Sequence, residues 1–105
     1  MEIPTSTTSE IPGKKVKEVL GIVTGNTIRA RHVGRDIMAG LKNLVGGEIK
    51  SYTEMMTQSR EEAFNRMINM ALDIKADAVI NVRFTTSMVM GGAAEILAYG
   101  TAVKF

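Results

Sequence analysis

Few side chains in this 105-residue chain could do chemistry, and the shortage limits what the protein can be. The sequence holds no cysteine, one histidine (His32) and eight methionines. Without thiols there is no disulfide framework, no cysteine nucleophile, no zinc knuckle and no iron–sulfur ligation. Soft metals favour thiolate, thioether and imidazole donors. The thioethers of Met55, Met56, Met67 and Met70 recur at helical spacing, where methionine serves as adaptable core filling. Met88 and Met90 read the same way, as packing beside a hairpin tip. His32 has no HxH or HxxxH partner and reads most simply as a strand-end histidine bonded to backbone. Copied around an oligomer, though, His32 and a carboxylate such as Asp36 become several ligands. His32, Arg35, Asp36, Glu48 and Tyr52 are therefore the candidate ligand or metal residues, and a divalent metal is the cofactor such a set would suit.

No catalytic residue is expected. Spacing yields no serine, histidine and acid grouping. Glu61 and Glu62 project about 100° apart on a helix and form no carboxylate dyad. Gly46-Gly47-Glu48 lacks the further glycines, lysine and hydroxyl of a nucleotide loop, so it reads as a connector between helices. What remains is a non-enzymatic binding module, or an interaction scaffold that takes no small molecule.

The element that must position these groups is one long helix. Ser51 and Glu54 have the spacing of a capping box, which would start it. Tyr52, Met56, Ser59, Ala63, Met67, Met70 and Ile74 then recur at steps of three and four, widened by Phe64, Ile68 and Ala71. Upstream, alternation predicts a strand over Val16–Val23, a tight turn at Gly25-Asn26 and a second strand over Thr27–His32. A short helix over Asp36–Leu44 follows, ended by Gly46 and Gly47. Residues Met1–Pro12 are either a disordered lead or a short edge strand.

Downstream, Gly91 and Gly92 predict a two-residue turn joining strands Ala78–Val89 and Ala93–Phe105. The register that follows pairs Met90 with Ala93, Phe84 with Tyr99, Val82 with Thr101 and Ile80 with Val103, giving a large apolar face to seat the helix. The opposite face carries Val79, Asn81, Ile96, Ala98, Gly100 and Ala102. Residues so small admit close approach, and they are assigned to contact with other copies.

Composition sets the outer bounds. One domain of this length buries about two-thirds of its unfolded surface. No apolar run nears the ~18 residues of a membrane span, and no secretory leader is visible, so a cytoplasmic protein is expected. Net charge is +2, without a dense basic face interleaved with aromatics, so nucleic acid is not an expected partner.

Lys14-Lys15-Val16, Leu20-Gly21-Ile22-Val23-Thr24-Gly25, Arg35-Asp36-Ile37, Val45-Gly46-Gly47, Ser51-Tyr52, Ala76-Asp77-Ala78-Val79-Ile80 and Ala98-Tyr99-Gly100-Thr101-Ala102-Val103 resemble, in order, the YbjQ family. The resemblance covers almost the whole chain as a single domain, residues 1–105. It implies an α+β fold like the dodecin subunit: an antiparallel sheet with one long helix on a face and one short helix. It also implies a ring-like homopentamer joined by additional strand pairing, with heavy metals as the ligand class attached to the family and no catalytic residues. Lys75 stands where relatives commonly have glycine, at a left-handed helix stop that would cost it about 1 kcal/mol.

Overall fold

The computed structural model describes residues 2–29, 50–90 and 93–105. Four elements follow in order: β1 (Glu18–Arg29), α1 (Lys50–Asp73), β2 (Ala78–Met90) and β3 (Ala93–Lys104). They make the expected α+β arrangement, an antiparallel sheet of order β1-β3-β2 with α1 on one face. The short helix expected over Asp36–Leu44 and the glycine pairs Gly46-Gly47 and Gly91-Gly92 lie outside the described residues.

The periodic stripe places the middle of α1 as its pattern predicts, whereas Met70 and Ile74, expected on the buried face, are exposed near the helix's end, beyond the close seat on the sheet. Ser59, Ala63, Met67 and Ala71, four apart, are fully buried, and Met56, Phe64 and Ile68 flank them partly buried. Three of the four central residues are small, which lets the helix axis come close to the sheet. Polar groups on this seam are satisfied: the Ser59 hydroxyl donates to Met55 O at 2.9 Å and the Thr27 hydroxyl to Ser59 O at 3.3 Å. The described helix runs from Lys50, with Glu54 solvent-exposed, and the side chain of Ser51 lies outside what is described.

The far end of α1 stops as expected, at Lys75. Its φ is 61°, Ala76 N–H donates to Ala71 O at 3.0 Å and Lys75 N–H to Leu72 O at 3.0 Å. This is a Schellman stop, with Ala71 and Ala76 as its buried apolar pair. The Lys104 ammonium donates to the Lys75 carbonyl at 3.0 Å.

Two expectations about the strands are corrected. Gly25 and Asn26 make no turn; β1 runs through them unbroken. Gly25 is where α1 crosses the strand: a Cβ there would lie 2.1 Å from Ala63 O and 2.3 Å from Met67 N. Glycine is needed for close approach, which in sequence looks like a turn signal.

The pairing of the β2–β3 hairpin also differs: β3 and the start of β2 turn their other face to α1, while Val82 and Phe84 lie on the helix side as expected. Met90 pairs with Ala93 as expected, but irregularities between Met88 and Met90 and between Ile80 and Arg83 shift the register. Phe84 therefore opposes Ala98, and Tyr99 opposes Arg83. Relative to β2, a one-residue slip moves the side chains of β3 to the other face. Val79, Ile96, Ala98 and Ala102 join Val23, Ala63 and Met67 in the main core, and Gly100 is buried with them. The small-residue row assigned to other copies is thus covered by this chain's own helix. Asn81 sits in the second irregularity with φ 53°, half-buried.

The N-terminal lead is ordered along the outer edge of β2. Val79 N–H donates to Pro4 O at 3.0 Å, Ser6 N–H to Val79 O at 3.1 Å and Val82 N–H to Ser6 O at 2.9 Å. Ile3 packs on the main core, whereas Ile11 and Val16 cross to the other face and cover Ala78, Ile80 and Val103 with Phe105. Each fully buried Val or Met side chain contributes about 1.5–3 kcal/mol of transfer free energy.

Candidate functional site

Of the candidate ligand residues, His32, Arg35, Asp36 and Glu48 lie outside the described residues, and Tyr52 stands on the first turn of α1. Among the described residues no three His, Cys, Asp or Glu side chains converge. Of the thioethers, Met67 is sealed in the core, Met70 accepts the Thr24 amide at 3.5 Å, and Met88 is exposed on β2.

What the described part of one copy does present is an uncovered sheet face. The slipped register gathers Ile22 opposite Thr101, Thr24 opposite Tyr99, Asn26 opposite Leu97 and Ile28 opposite Glu95 on the side away from α1. Val19, Ile22 and Ile28 are 63%, 76% and 55% exposed, with half-buried Leu97 and exposed Tyr99 beside them. Ile11, Val16 and Phe105 cover only the end of this face near Ala78 and Val103. Asn26 Nδ2 donates to Glu95 Oε2 at 2.9 Å, and Arg83 lies opposite Tyr99, so charge is confined to the margin. A contiguous apolar patch of a few hundred Å² rimmed by polar groups marks an interaction surface.

The helix side holds a second feature. Because α1 lies mainly over β1 and β3, a groove of about 570 Å³ opens between it and β2, lined by Thr57, Arg60, Glu61, Phe64, Asn65 and Phe84. Phe64 and Phe84 stack in it with centroids 6.4 Å apart. The adjoining edge of β2 has no strand partner beyond the N-terminal segment among the described residues. The sequence pattern placed Phe84 under the helix through a wrong pairing, and it read the strand holding Ile22 as covered on both faces, whereas Ile22 and Ile28 are exposed. Their only signal was that β1 is apolar on both faces.

The comparisons fit this architecture. A family model described as "Putative heavy-metal-binding", YbjQ, matches residues 3–105. The chain belongs to the YbjQ family. Its relatives include UPF0145 proteins of Archaeoglobus fulgidus, 63% identical over 103 residues (98% of this chain, 95% of the relative), and of Methanoculleus marisnigri, 65% identical over 99 residues (94% and 92%). A UPF0145 protein of Photobacterium profundum is 62% identical over 98 residues, 93% of this chain and 95% of its own. None of these names states an enzymatic activity. A solved protein of unknown function from Pediococcus pentosaceus, described as a DUF74-family member, superposes with a TM-score of 0.57 at 19% identity, covering 98% of this chain and 97% of that one. That likeness concerns the fold alone. Within this YbjQ chain no described helix is long and apolar enough to cross a membrane.

Proposed function

We propose that this YbjQ protein is a cytoplasmic, non-enzymatic module that assembles with copies of itself and binds or sequesters a small ligand or metal where subunits meet. The assembly is a ring-like pentamer of dodecin-like subunits, as the sequence resemblance implies. The observation that carries the reading is the open sheet face of Val19, Ile22, Ile28, Leu97 and Tyr99. A chain of 105 residues that leaves such a face to water gains by covering it, and aromatic and aliphatic residues with charge at the rim are the make-up of an interface core. The described residues of one copy supply no converging donor set, so a metal would draw donors from several copies.

Native mass spectrometry of protein purified without added metal tests both parts at once. The expected result is a multimer, with bound metal or anion lost in His32→Ala or Asp36→Ala. A monomer at high dilution would overturn the assembly. A second reading, a scaffold that takes no small molecule, draws on the same lack of converging donors. It predicts an intact multimer whose thermal midpoint responds to no metal or anion.

A further inference from the structure

The outer edge of β1, which has no strand partner among the described residues, is guarded by two side chains of α1. Met70 Sδ accepts the Thr24 N–H at 3.5 Å, and Arg66 Nη1 donates to the Asn26 carbonyl. Between them Gly25 is pressed against the helix backbone. An unpaired strand edge is a template for adventitious pairing, and proteins block such edges with side chains or helices. Arg66 blocks an acceptor and has no redox chemistry. Met70 blocks a donor through a thioether, and it is 41% exposed, whereas Met67, one turn earlier, is 0% exposed.

We propose that Met70 is a peroxide-sensitive latch between α1 and the edge of β1. The oxidant class is hydrogen peroxide. The thioether sulfur donates an electron pair to one peroxide oxygen, the S–O bond forms as the O–O bond breaks, and the departing hydroxide takes the transferred oxygen's proton and leaves as water. Sulfur is oxidised by two electrons and the peroxide is reduced, giving methionine sulfoxide, a reversible product. Either site of attack breaks the latch. An oxygen added on the lone pair facing Thr24 would fall far inside the ~2.9 Å that an N–H···O contact needs, so the side chain must move out. An oxygen added on the solvent side leaves the sulfur electron-poor and a weak acceptor. The Gly25 seat has no slack to absorb the change, so the edge opens at Thr24.

The test is graded hydrogen peroxide on the full chain, with peptide mapping of each methionine and hydrogen exchange at the Thr24 amide. Met70 is expected to gain one oxygen at doses that leave Met67 reduced, with Thr24 exchange rising about three- to tenfold, the loss of one modest hydrogen bond. Met88→Leu should keep this response. Met70→Leu, a near-isosteric change that holds the packing, should show fast Thr24 exchange from the start and no further effect of peroxide. The proposal is overturned if Met70 stays reduced when Met88, 76% exposed, is fully converted. It is equally overturned if Met70 converts without change at Thr24, or if Met70→Leu responds to peroxide as the parent does.

Discussion

Replacing Gly25 by alanine adds one methyl group, and the fold says where it goes. The new Cβ would lie 2.1 Å from Ala63 O, 2.3 Å from Met67 N and 2.8 Å from Arg66 Cβ. Two of these are backbone atoms of α1, which cannot rotate aside. Restoring ordinary contact at 3.4 Å requires about 1.3 Å of separation between helix and strand (3.4 minus 2.1). A gap of 0.5–1 Å already forfeits roughly a quarter to a half of the dispersion well along a seam. That seam holds Val23, Ala63, Met67 and Ala71, all buried. Loss on that scale from side chains worth about 1.5–3 kcal/mol each reaches the upper end of overpacking penalties, about 3 kcal/mol. For a chain of this size the midpoint should fall about 12–24 °C, at ~4–8 °C per kcal/mol.

Urea and thermal unfolding followed by circular dichroism, at matched protein concentration, would measure it. Gly25→Asn is the decisive companion. A turn at Gly25-Asn26 would accept asparagine readily, whereas a strand pressed under a helix would not. At Gly100→Ala the new Cβ meets a Val79 methyl at 2.6 Å, the Ile80 carbonyl at 3.1 Å and a Val82 methyl at 3.3 Å, with the backbone atom farther off than at Gly25, so it should cost less than Gly25→Ala. If Gly25→Ala and Gly25→Asn both unfold within about 0.5 kcal/mol of the parent, the close helix–strand seat is refuted.

Further outcomes can be read the same way. Lys75→Gly relieves a lysine held at φ 61° and should stabilise the chain by about 1 kcal/mol in urea unfolding. Ala98→Leu crowds a position fully covered by α1 and should cost about 1–3 kcal/mol; a surface-like effect near zero would restore the small-residue row to other copies. Ile22→Lys should leave the fold intact by circular dichroism while weakening self-association at least about tenfold in sedimentation equilibrium, and an unchanged native mass would argue against the open face as the contact. Phe84→Ala should cost about 1 kcal/mol, the scale of an aromatic pair, through loss of its stack on Phe64.

What could be read in advance followed from periodicity. The buried line Ser59, Ala63, Met67, Ala71 lies within the stripe read from steps of three and four, because a helix lying on a sheet has one face to bury. Lys75 could be read as a left-handed stop from its place after the stripe and its resemblance to a glycine position. The candidate site was far less legible. His32, Asp36 and their neighbours fall outside the described residues, and a single histidine without an HxH or HxxxH partner sets no ligand spacing in the chain.

The amino-acid pattern alone determined that there is one long helix, that two strands meet across residues 90 and 93, and that alternate residues share a face. Tertiary structure decided which face the helix takes. Period-two alternation relates residues to one another but does not say which row is inside, and irregularities at Ile80–Arg83 and Met88–Met90 shift the pairing without a mark in composition. Size was the misleading cue, since large side chains suggest a core. Here Ser59, Ala63 and Ala71 let the helix sit near the sheet, with Gly25 at the closest approach and Val23, Ile96, Ala98 and Ala102 packed in the same core, leaving Ile22, Ile28 and Tyr99 on the open side.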